Sequence, residues 1–131
     1  ATEIGTLIEE LRPVVCRTTR VCFLHNDIHD MNIMCTCDDS LLAIIDWGDA
    51  GWGDPTIEFA QIPLSAIPYV MQGYREVAPD LLGDAPEARI IWDKLDYAME
   101  ELVDNPLHDL PLDEFRGFLN SSGSKCQLPS T

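Results

Sequence analysis

The fold of this chain is decided by two neighbouring stretches, His25-Asn26-Asp27-Ile28-His29-Asp30-Met31-Asn32 and Ile44-Ile45-Asp46-Trp47-Gly48. The first crowds acidic, amide and histidine side chains into a short segment just after one apolar run and just before another. Polar groups that are costly to desolvate rarely cluster at such a place without a chemical role. We therefore take these stretches as the candidate functional site and interpret the rest of the chain around them.

The size and charge of the chain limit the kinds of protein it can be. Its 131 residues fit one domain, or one lobe of a larger domain, and 46% hydrophobic residues are typical of globular proteins. With 23 acidic and 8 basic residues the net charge is −15. Such a chain repels nucleic acids and anionic membranes, so we expect cationic small molecules or a basic partner domain as ligands.

Two features of the sequence predict a cytoplasmic protein. No apolar run approaches the roughly 18 residues that cross a bilayer, and the N-terminus lacks the basic-then-apolar order of a signal peptide. The five cysteines are an odd number without the spacing of a disulfide scaffold, so we interpret them as reduced thiols. Cys35 and Cys37 lack a second ligand pair at zinc-site spacing, which favours packing in the core or on an edge strand over a metal site.

Short apolar runs predict three strands around the polar stretch, at residues 21–24, 33–36 and 41–45. The last two flank a turn at residues 38–40 and together form a β-hairpin. A hairpin brings its first and last residues together, so we expect Asn32 and Asp46 to lie near each other.

Apolar residues at helical spacing predict that the remainder is helical. The first helix carries a capping box at Thr6-x-x-Glu9 if it begins late, and Pro13 kinks or ends it. Asp54 as N-cap and Pro55 as first residue begin another helix, which Pro63 closes. The remaining predicted helices span residues 65–77, a long segment from the capping box Asp84-x-x-Glu87 to Asn105-Pro106, and residues 112–119.

The longest predicted helix carries two stripes. One is apolar and consists of Ile91, Leu95, Ala98 and Leu102. The other lies about opposite and is acidic, with Asp93, Asp96, Glu100 and Asp104. A core face and a solvated face are the simpler interpretation; the alternative is that the acids line a cleft for a cationic substrate.

The polar stretches have the parts that phosphoryl transfer requires. Transfer to a hydroxyl needs a carboxylate that positions or deprotonates the hydroxyl, and oxygen ligands that hold Mg²⁺ against the phosphates. Asp27-x-x-x-x-Asn32 has the spacing of the acid and the amide in a kinase catalytic loop. Asp46, before Trp47-Gly48, stands where the metal-binding aspartate of the Asp-Phe-Gly element stands. The order and spacing of these parts are more specific than any one of them.

In these motifs the chain resembles the aminoglycoside phosphotransferase and choline kinase-like family. The signature of that family runs His-Gly-Asp-x-His-x-x-Asn, then Ile-Asp-Trp or Ile-Asp-Phe, then Gly-Asp-Pro. The resemblance is close over residues 21–62 and only general in the helical remainder. It implies Mg²⁺ and ATP or GTP as cofactors. It also implies candidate catalytic residues, namely Asp27 as the base, His25 bracing the loop, His29 near substrate and phosphate, and Asp54 orienting the loop, with Asn32 and Asp46 as the metal and cofactor ligands.

The chain departs from the family in two respects. Position 26 is Asn where the family usually has Gly, although Asn tolerates a left-handed backbone better than most residues. The family's N-terminal lobe, with its phosphate-covering loop and Lys–Glu pair, is missing. Only 24 residues precede His25, they are predicted to form a helix, and the lysines are Lys94 and Lys125. We therefore predict an α+β fold, the mostly helical C-terminal lobe of a protein kinase-like fold, over residues 1–120, with a flexible tail over residues 121–131.

Two functions follow from this reasoning. The first is the catalytic lobe of an ATP- or GTP-dependent kinase that phosphorylates a hydroxyl of a small, cationic molecule when a nucleotide-binding lobe completes it. The second is a non-catalytic remnant that binds a partner, or forms a homodimer, through the apolar surface that the lobe would have covered. A cysteine- or histidine-based metal protein has little support, because the chain has three histidines and His108 lies far from the others.

Overall fold

The computed structural model describes residues 2–15, 20–105 and 110–122, and this part of the chain has the predicted α+β class. It contains four α-helices and two small antiparallel sheets. The helices are α1 (Glu3–Val15), α2 (Ile67–Val77), α3 (Pro86–Asp104) and α4 (Leu112–Ser121). The strands are β1 (Cys22–Leu24), β2 (Ile33–Cys35), β3 (Leu41–Ile44) and β4 (Gly51–Gly53). Two short 3₁₀ helices lie at Asp30–Asn32 and Pro55–Phe59.

The strands form two separate pairs that frame the polar stretches. β2 and β3 make the predicted hairpin, with Ile33 opposite Ile44. β1 pairs with β4, which places Leu24 opposite Gly51. Residues 25–50, which contain both polar stretches and the hairpin, therefore begin and end at this strand pair. The pairing of β1 with β4 joins residues far apart in sequence and was not predicted.

Both predicted capping boxes are wrong. Helix α1 begins at Glu3, where the side chain of Thr2 accepts a hydrogen bond from the backbone N–H of Gly5, 3.1 Å away. Helix α3 begins at Pro86 after Ala85, which has a left-handed backbone and makes no side-chain cap. In both places a local sequence pattern suggested a cap. Helix α1 instead begins before Thr6, and helix α3 begins after Ala85, whose left-handed backbone is strained.

The other helical predictions are close to the observed elements. Pro13 lies inside α1, two residues before its end. The helix predicted after Asp54 is a 3₁₀ helix that ends at Phe59, and α2 begins two residues later than predicted. Helix α4 confirms the last predicted helix and extends to Ser121, whereas residues 123–131 of the predicted tail lie outside the described residues.

Helix α3 is the centre of the core. Its apolar stripe packs with α1 and α4 in one cluster, formed by Leu7, Leu11, Val14, Ala88, Ile91, Leu95 and Phe115. Ile90, on an adjacent face, joins a second cluster with Phe59, Ile67, Met71 and Leu82. Burying each large apolar side chain contributes about 1.5–3 kcal/mol. The predicted apolar stripe is confirmed for its first three members, and Leu102 is partly buried.

The apolar residues of the strands are more exposed to solvent than those of the helices. Many apolar side chains of the strands and their flanking segments are largely exposed, among them Val21, Phe23, Met34, Leu41, Leu42 and Trp52. Cys35 and Cys37 are exposed free thiols, so the alternative of core packing is wrong for them. No helix of the described residues has the length and apolar character that crossing a membrane requires.

Candidate active site

The polar stretch forms the loop between β1 and β2, and a tight turn begins it. Asn26 has a left-handed backbone with φ of 69°. Its N–H and that of His25 donate to the two carboxylate oxygens of Glu58, at 2.7 and 3.2 Å. The side chain of Asn26 donates to the carbonyl of Asp49, 3.1 Å away. The substitution of the family's glycine by asparagine is therefore compatible with the turn, because Asn adopts this conformation at low cost.

His25 braces the loop from beneath. Its side chain is buried, with Nδ1 accepting from the N–H of Asp27 at 3.1 Å and Nε2 lying 2.7 Å from the carbonyl oxygen of Ile45. Because Nδ1 accepts, Nε2 carries the proton and donates to that carbonyl. The ring also contacts Trp47 edge-on, with centroids 4.6 Å apart. His25 therefore links the loop to the segment that carries Asp46, which is a bracing position.

The carboxylate of Asp27 is held on both oxygens. Oδ1 accepts from Nε2 of Gln61 at 2.9 Å, and Oδ2 accepts from Nδ2 of Asn32 at 3.1 Å. The hydrogen bond from Gln61 is the main cause that lowers the pKa of Asp27, with smaller contributions from His29 and Asn32, while desolvation opposes them. An ionised carboxylate with a fixed direction is what a general base or a hydroxyl-positioning group needs.

His29 lies beside this carboxylate. Its Nδ1 accepts from the backbone N–H of Met31 at 3.2 Å, which begins the 3₁₀ turn. Its Nε2 lies 3.1 Å from Nδ2 of Asn32 and 3.5 Å from Oδ1 of Asp27. The ring is partly exposed, so it stands at the mouth of the site next to Asp27.

Asn32 and Asp46 lie at the two ends of the hairpin. The N–H of Ile45 donates to the carbonyl of Asn32 at 2.9 Å, so Asp46 follows directly on a residue bonded to Asn32. Nδ2 of Asn32 points to Asp27, and among the described residues no donor reaches its Oδ1. Asp46 is exposed and has a left-handed backbone with φ of 62°. The hairpin thus brings residues Asn32 and Asp46 near each other, as predicted.

These two side chains fit Mg²⁺ in the way that such ions are usually held. Mg²⁺ prefers oxygen ligands and is commonly bound by one or two protein groups, with waters and substrate phosphates completing the octahedron. The free Oδ1 of Asn32 and the carboxylate of Asp46 supply that small number. The described residues contain no group of three His, Cys, Asp or Glu side chains that would hold a metal by itself.

The hydrogen-bond partners of Asp54 are Thr56 and Arg89 rather than residues of the loop between β1 and β2. Its carboxylate caps the second 3₁₀ helix by accepting from the N–H of Thr56 at 3.1 Å, as predicted. It also makes two hydrogen bonds with the guanidinium of Arg89, at 3.0 and 3.2 Å. Arg89 is buried in α3 and donates further to the carbonyls of Leu82 and Asp84. Among the described residues, the direct contact from this 3₁₀ helix to the loop is made by Glu58.

A cleft of about 330 Å³ opens beside Asn26, Ile28 and Gln61. Its walls carry four carboxylates, those of Glu58, Asp93, Asp96 and Glu100, and the lining includes no lysine or arginine from the described residues. Burial raises the pKa of Asp93 to about 6, although its hydrogen bond from the hydroxyl of Thr56, 2.9 Å long, acts in the other direction. The predicted solvated face is confirmed for Asp96, Glu100 and Asp104, which are exposed, whereas Asp93 is half-buried. Asp93, Asp96 and Glu100 also line the cleft, as the alternative interpretation predicts, and Asp104 does not.

Comparison with known proteins places the chain in a family. A model of the phosphotransferase enzyme family, abbreviated APH, matches residues 2–99. The chain belongs to this phosphotransferase family. No curated protein and no solved structure matches it.

The phosphotransferase match extends well beyond the motifs that suggested it. It includes all six candidate residues of the site, helix α1 and most of α3, and it stops before α4. Family membership supports phosphotransferase chemistry in general. Sequence reasoning missed three residues that contact the candidate site residues, namely Glu58, Gln61 and Arg89, because nothing in their local sequence distinguishes them from ordinary surface or helix residues.

Proposed function

We propose that this chain is the catalytic and substrate-binding part of a kinase that transfers the γ-phosphate of ATP or GTP to a hydroxyl of a small, cationic molecule. The observation that carries the proposal is the arrangement of Asp27 and Asn32, bonded side chain to side chain in one loop, with Asp46 at the other end of the hairpin. The family match supports the same reaction class.

Asp27 is the base in this proposal. Its ionised carboxylate accepts the proton of the substrate hydroxyl, or orients that hydroxyl towards the phosphorus, while Gln61 and Asn32 hold it still. His29, whose Nε2 lies 3.5 Å from Oδ1 of Asp27, is placed to contact the transferring phosphoryl group or the substrate. His25 keeps the loop in register with the segment of Asp46.

Asn32 and Asp46 would hold Mg²⁺ through their side-chain oxygens. When bound, the ion neutralises charge on the nucleotide phosphates and orients them. The protein's own contribution would be to hold the backbone of these two residues close together, through the hydrogen bond from the N–H of Ile45 to the carbonyl of Asn32. The amide nitrogen of Asn32 is engaged by Asp27, so its oxygen is the atom left for the metal.

The cleft is the proposed substrate site. Four carboxylates in its walls favour a cationic molecule, and Ile28, Ile57 and Tyr97 offer apolar surface for its body. Aminoglycosides and choline-like alcohols are candidates of this charge. Amino-acid hydroxyls and neutral sugars fit the acidic walls less well.

A nucleotide-binding lobe is the proposed partner of this part, which spans residues 1–120. The described part of the chain contains one lysine, Lys94. Its Nζ donates to the backbone carbonyls of Ala60 and Ile62 and does not contact the candidate site residues. In this proposal the described residues supply the base and the metal ligands, and they contain no lysine placed to bind the nucleotide phosphates. A cytoplasmic location remains part of the proposal.

Metal titration tests the proposed site directly. We expect Mn²⁺ to broaden the backbone NMR signals around Asn32 and Asp46, and millimolar Mg²⁺, more strongly with ATP, to shift them. Asp46→Asn should abolish the effect, whereas Asp49→Asn, a neighbouring exposed carboxylate, should leave it intact. Unchanged spectra around both residues at millimolar metal would refute the metal site.

Transfer itself is measured with this part joined to, or mixed with, its nucleotide-binding lobe, as ADP formation from MgATP in the presence of aminoglycosides or choline-like alcohols. Asp27→Asn is expected to abolish the activity, because the general base commonly contributes 10²–10⁴-fold. Asp30→Asn is the matched control, since Asp30 lies on the same loop with its side chain 95% exposed. Equal activity in the two variants would contradict the role of Asp27.

The alternative function, a non-catalytic binding module, is favoured by one observation. Phe23 and Trp52 stack edge to face on the β1–β4 pair while remaining 55% and 73% exposed, and Leu41 and Leu42 of the hairpin are also largely exposed. Surfaces of this kind usually mark an association site. Light scattering or sedimentation at tens of micromolar tests it. A monomer that binds Mg²⁺ would favour the enzyme, and a dimer without metal binding would favour the module.

A further inference from the structure

Lys94 is a buried cation without an acidic partner among the described residues. Its side chain is largely inaccessible, and Nζ donates to the backbone carbonyls of Ala60, at 3.0 Å, and Ile62. Burial lowers the pKa of Lys94 to about 8, so the interior is an unfavourable place for its charge. Neither the proposed chemistry nor the packing of α3 requires a cation here. What the ammonium group does is fix two carbonyls of one turn.

The two carbonyls bound by Lys94 belong to the residues on either side of Gln61. The backbone of Gln61 is therefore held from both sides, and its side chain projects from a restrained turn. Nε2 of Gln61 donates to Oδ1 of Asp27 at 2.9 Å, and Oε1 lies 3.5 Å from the hydroxyl of Tyr97 on the cleft wall. A chain of polar contacts thus leads from the buried ammonium to the proposed base.

We propose that Lys94 and Gln61 are positioning residues for Asp27, with Lys94 holding the turn at residues 60–62 and Gln61 holding the carboxylate. The inference rests on the proposed role of Asp27 as the base. It deepens that function by naming the groups outside the loop that orient it.

The arrangement suits a base because it restrains the carboxylate without neutralising it. Asn32 and Gln61 approach different oxygens from different elements, so rotation about both side-chain bonds of Asp27 is opposed. Both donors are neutral amides. The hydrogen bonds from Gln61 and Asn32 already lower the pKa of Asp27, and a lysine in direct contact would add an ion pair that lowers it further, whereas Lys94 acts one step away, through the backbone. Small displacements of a reacting group can cost about 10²-fold in rate, which gives such restraint its value.

The side-chain conformation of Asp27 is the direct measure of positioning. Three-bond couplings from its carboxyl carbon to the backbone nitrogen and carbonyl carbon report the populations of the rotamers about χ1. We expect a single rotamer for Asp27 in the unsubstituted chain without metal or nucleotide. Asp30, 95% exposed on the same loop, should show averaged couplings and serves as the internal reference.

Three substitutions should release Asp27. Gln61→Ala removes the donor, Gln61→Glu replaces it with a repelling carboxylate of the same length, and Lys94→Met frees the turn while keeping an apolar side chain of similar length. Each is expected to shift the couplings of Asp27 towards those of Asp30, with Gln61→Glu shifting them most. Gln72→Ala is the matched control, because the amide of Gln72 reaches only Glu76 on exposed α2 among the described contacts.

The outcomes separate positioning from folding and from the proposed function. The backbone spectrum of each variant establishes that it folds, and if Lys94→Met does not fold, the two Gln61 variants decide the question. A folded Gln61→Ala variant whose Asp27 couplings equal those of the unsubstituted chain overturns the proposal. Because these measurements need neither metal nor substrate, failed Mn²⁺ binding together with released couplings would refute the proposed function while leaving the positioning intact.

Discussion

Glu58 provides the sharpest test of how this loop is built, and the perturbation is Glu58→Ala. The carboxylate of Glu58 accepts the N–H groups of both His25 and Asn26, at 3.2 and 2.7 Å. A hydrogen bond to a charged group contributes about 1.5–3 kcal/mol. Glu58 is only partly buried, so water can replace part of each bond, and the lower end of that range applies. The two bonds together then give a loss of about 3 kcal/mol in the free energy of unfolding.

Urea denaturation measures this loss, and amide hydrogen exchange locates it. We expect the N–H groups of His25 and Asn26 to exchange about 100-fold faster in Glu58→Ala, since about 1.4 kcal/mol corresponds to a factor of ten. Glu58→Gln should lose about half as much, because the amide presents one acceptor oxygen instead of two. Glu76→Ala, on the exposed surface of α2, is the control and should change stability by less than about 0.5 kcal/mol.

A specific result would refute the reasoning about Glu58. If Glu58→Ala unfolds at the same urea concentration as the unsubstituted chain, and the two amides exchange at unchanged rates, the carboxylate does not hold the turn. If stability falls but exchange at those two amides stays unchanged, the loss comes from packing on the cleft wall rather than from the loop.

Three further perturbations follow from the same contacts. Asn26→Ala should lower the free energy of unfolding by about 1–2 kcal/mol in urea denaturation because of its left-handed backbone, whereas Asn26→Gly should come within about 1 kcal/mol of the unsubstituted chain. Arg89→Met leaves Asp54 partly buried without its partner and should cost about 3–5 kcal/mol by the same measurement; a cost below about 1 kcal/mol would contradict the role of this pair. Burial raises the pKa of Asp93 to about 6, so the folded chain binds more protons than the unfolded chain between about pH 4 and pH 6. The contribution of the Asp93 carboxyl to the free energy of unfolding is therefore fully present below about pH 4 and is lost as the pH rises to about 6. Asp93→Asn should remove about 3 kcal/mol of that decline, since one pKa unit corresponds to about 1.4 kcal/mol, and stability curves of parallel slope in the two proteins would show that Asp93 does not cause it.

Local patterns predicted the parts of the fold whose partners lie close in sequence. The β2–β3 hairpin follows from two apolar runs around a short turn, and its pairing of Ile33 with Ile44 brings Asn32 and Asp46 together. The N-cap at Asp54 and the apolar stripe of α3 were predicted for the same reason. In each case the deciding interaction spans a few residues or repeats with the period of the helix.

Local patterns failed where a side chain had a better partner elsewhere. Glu87, predicted to complete a capping box, is buried and lies 3.6 Å from Arg75 on α2. The box at Thr6 did not form because Thr2 already caps the helix one turn earlier. A capping motif competes with every other partner the fold supplies, and the sequence around it does not reveal that competition.

The sequence by itself predicted the chemistry of this protein, namely an acid, an amide and a second acid at spacings typical of a phosphotransferase, and the family match supports that reaction class. The tertiary structure alone decided how these groups are held. Glu58 reaches the loop across 32 and 33 residues, Gln61 reaches Asp27 across 34, and Lys94 reaches the flanking carbonyls across 34 and 32. Such contacts depend on how the 3₁₀ helix and α3 pack beneath the loop. Spacing along the chain encodes the identity of the reacting groups, whereas their support comes from packing between distant elements, which no local pattern records.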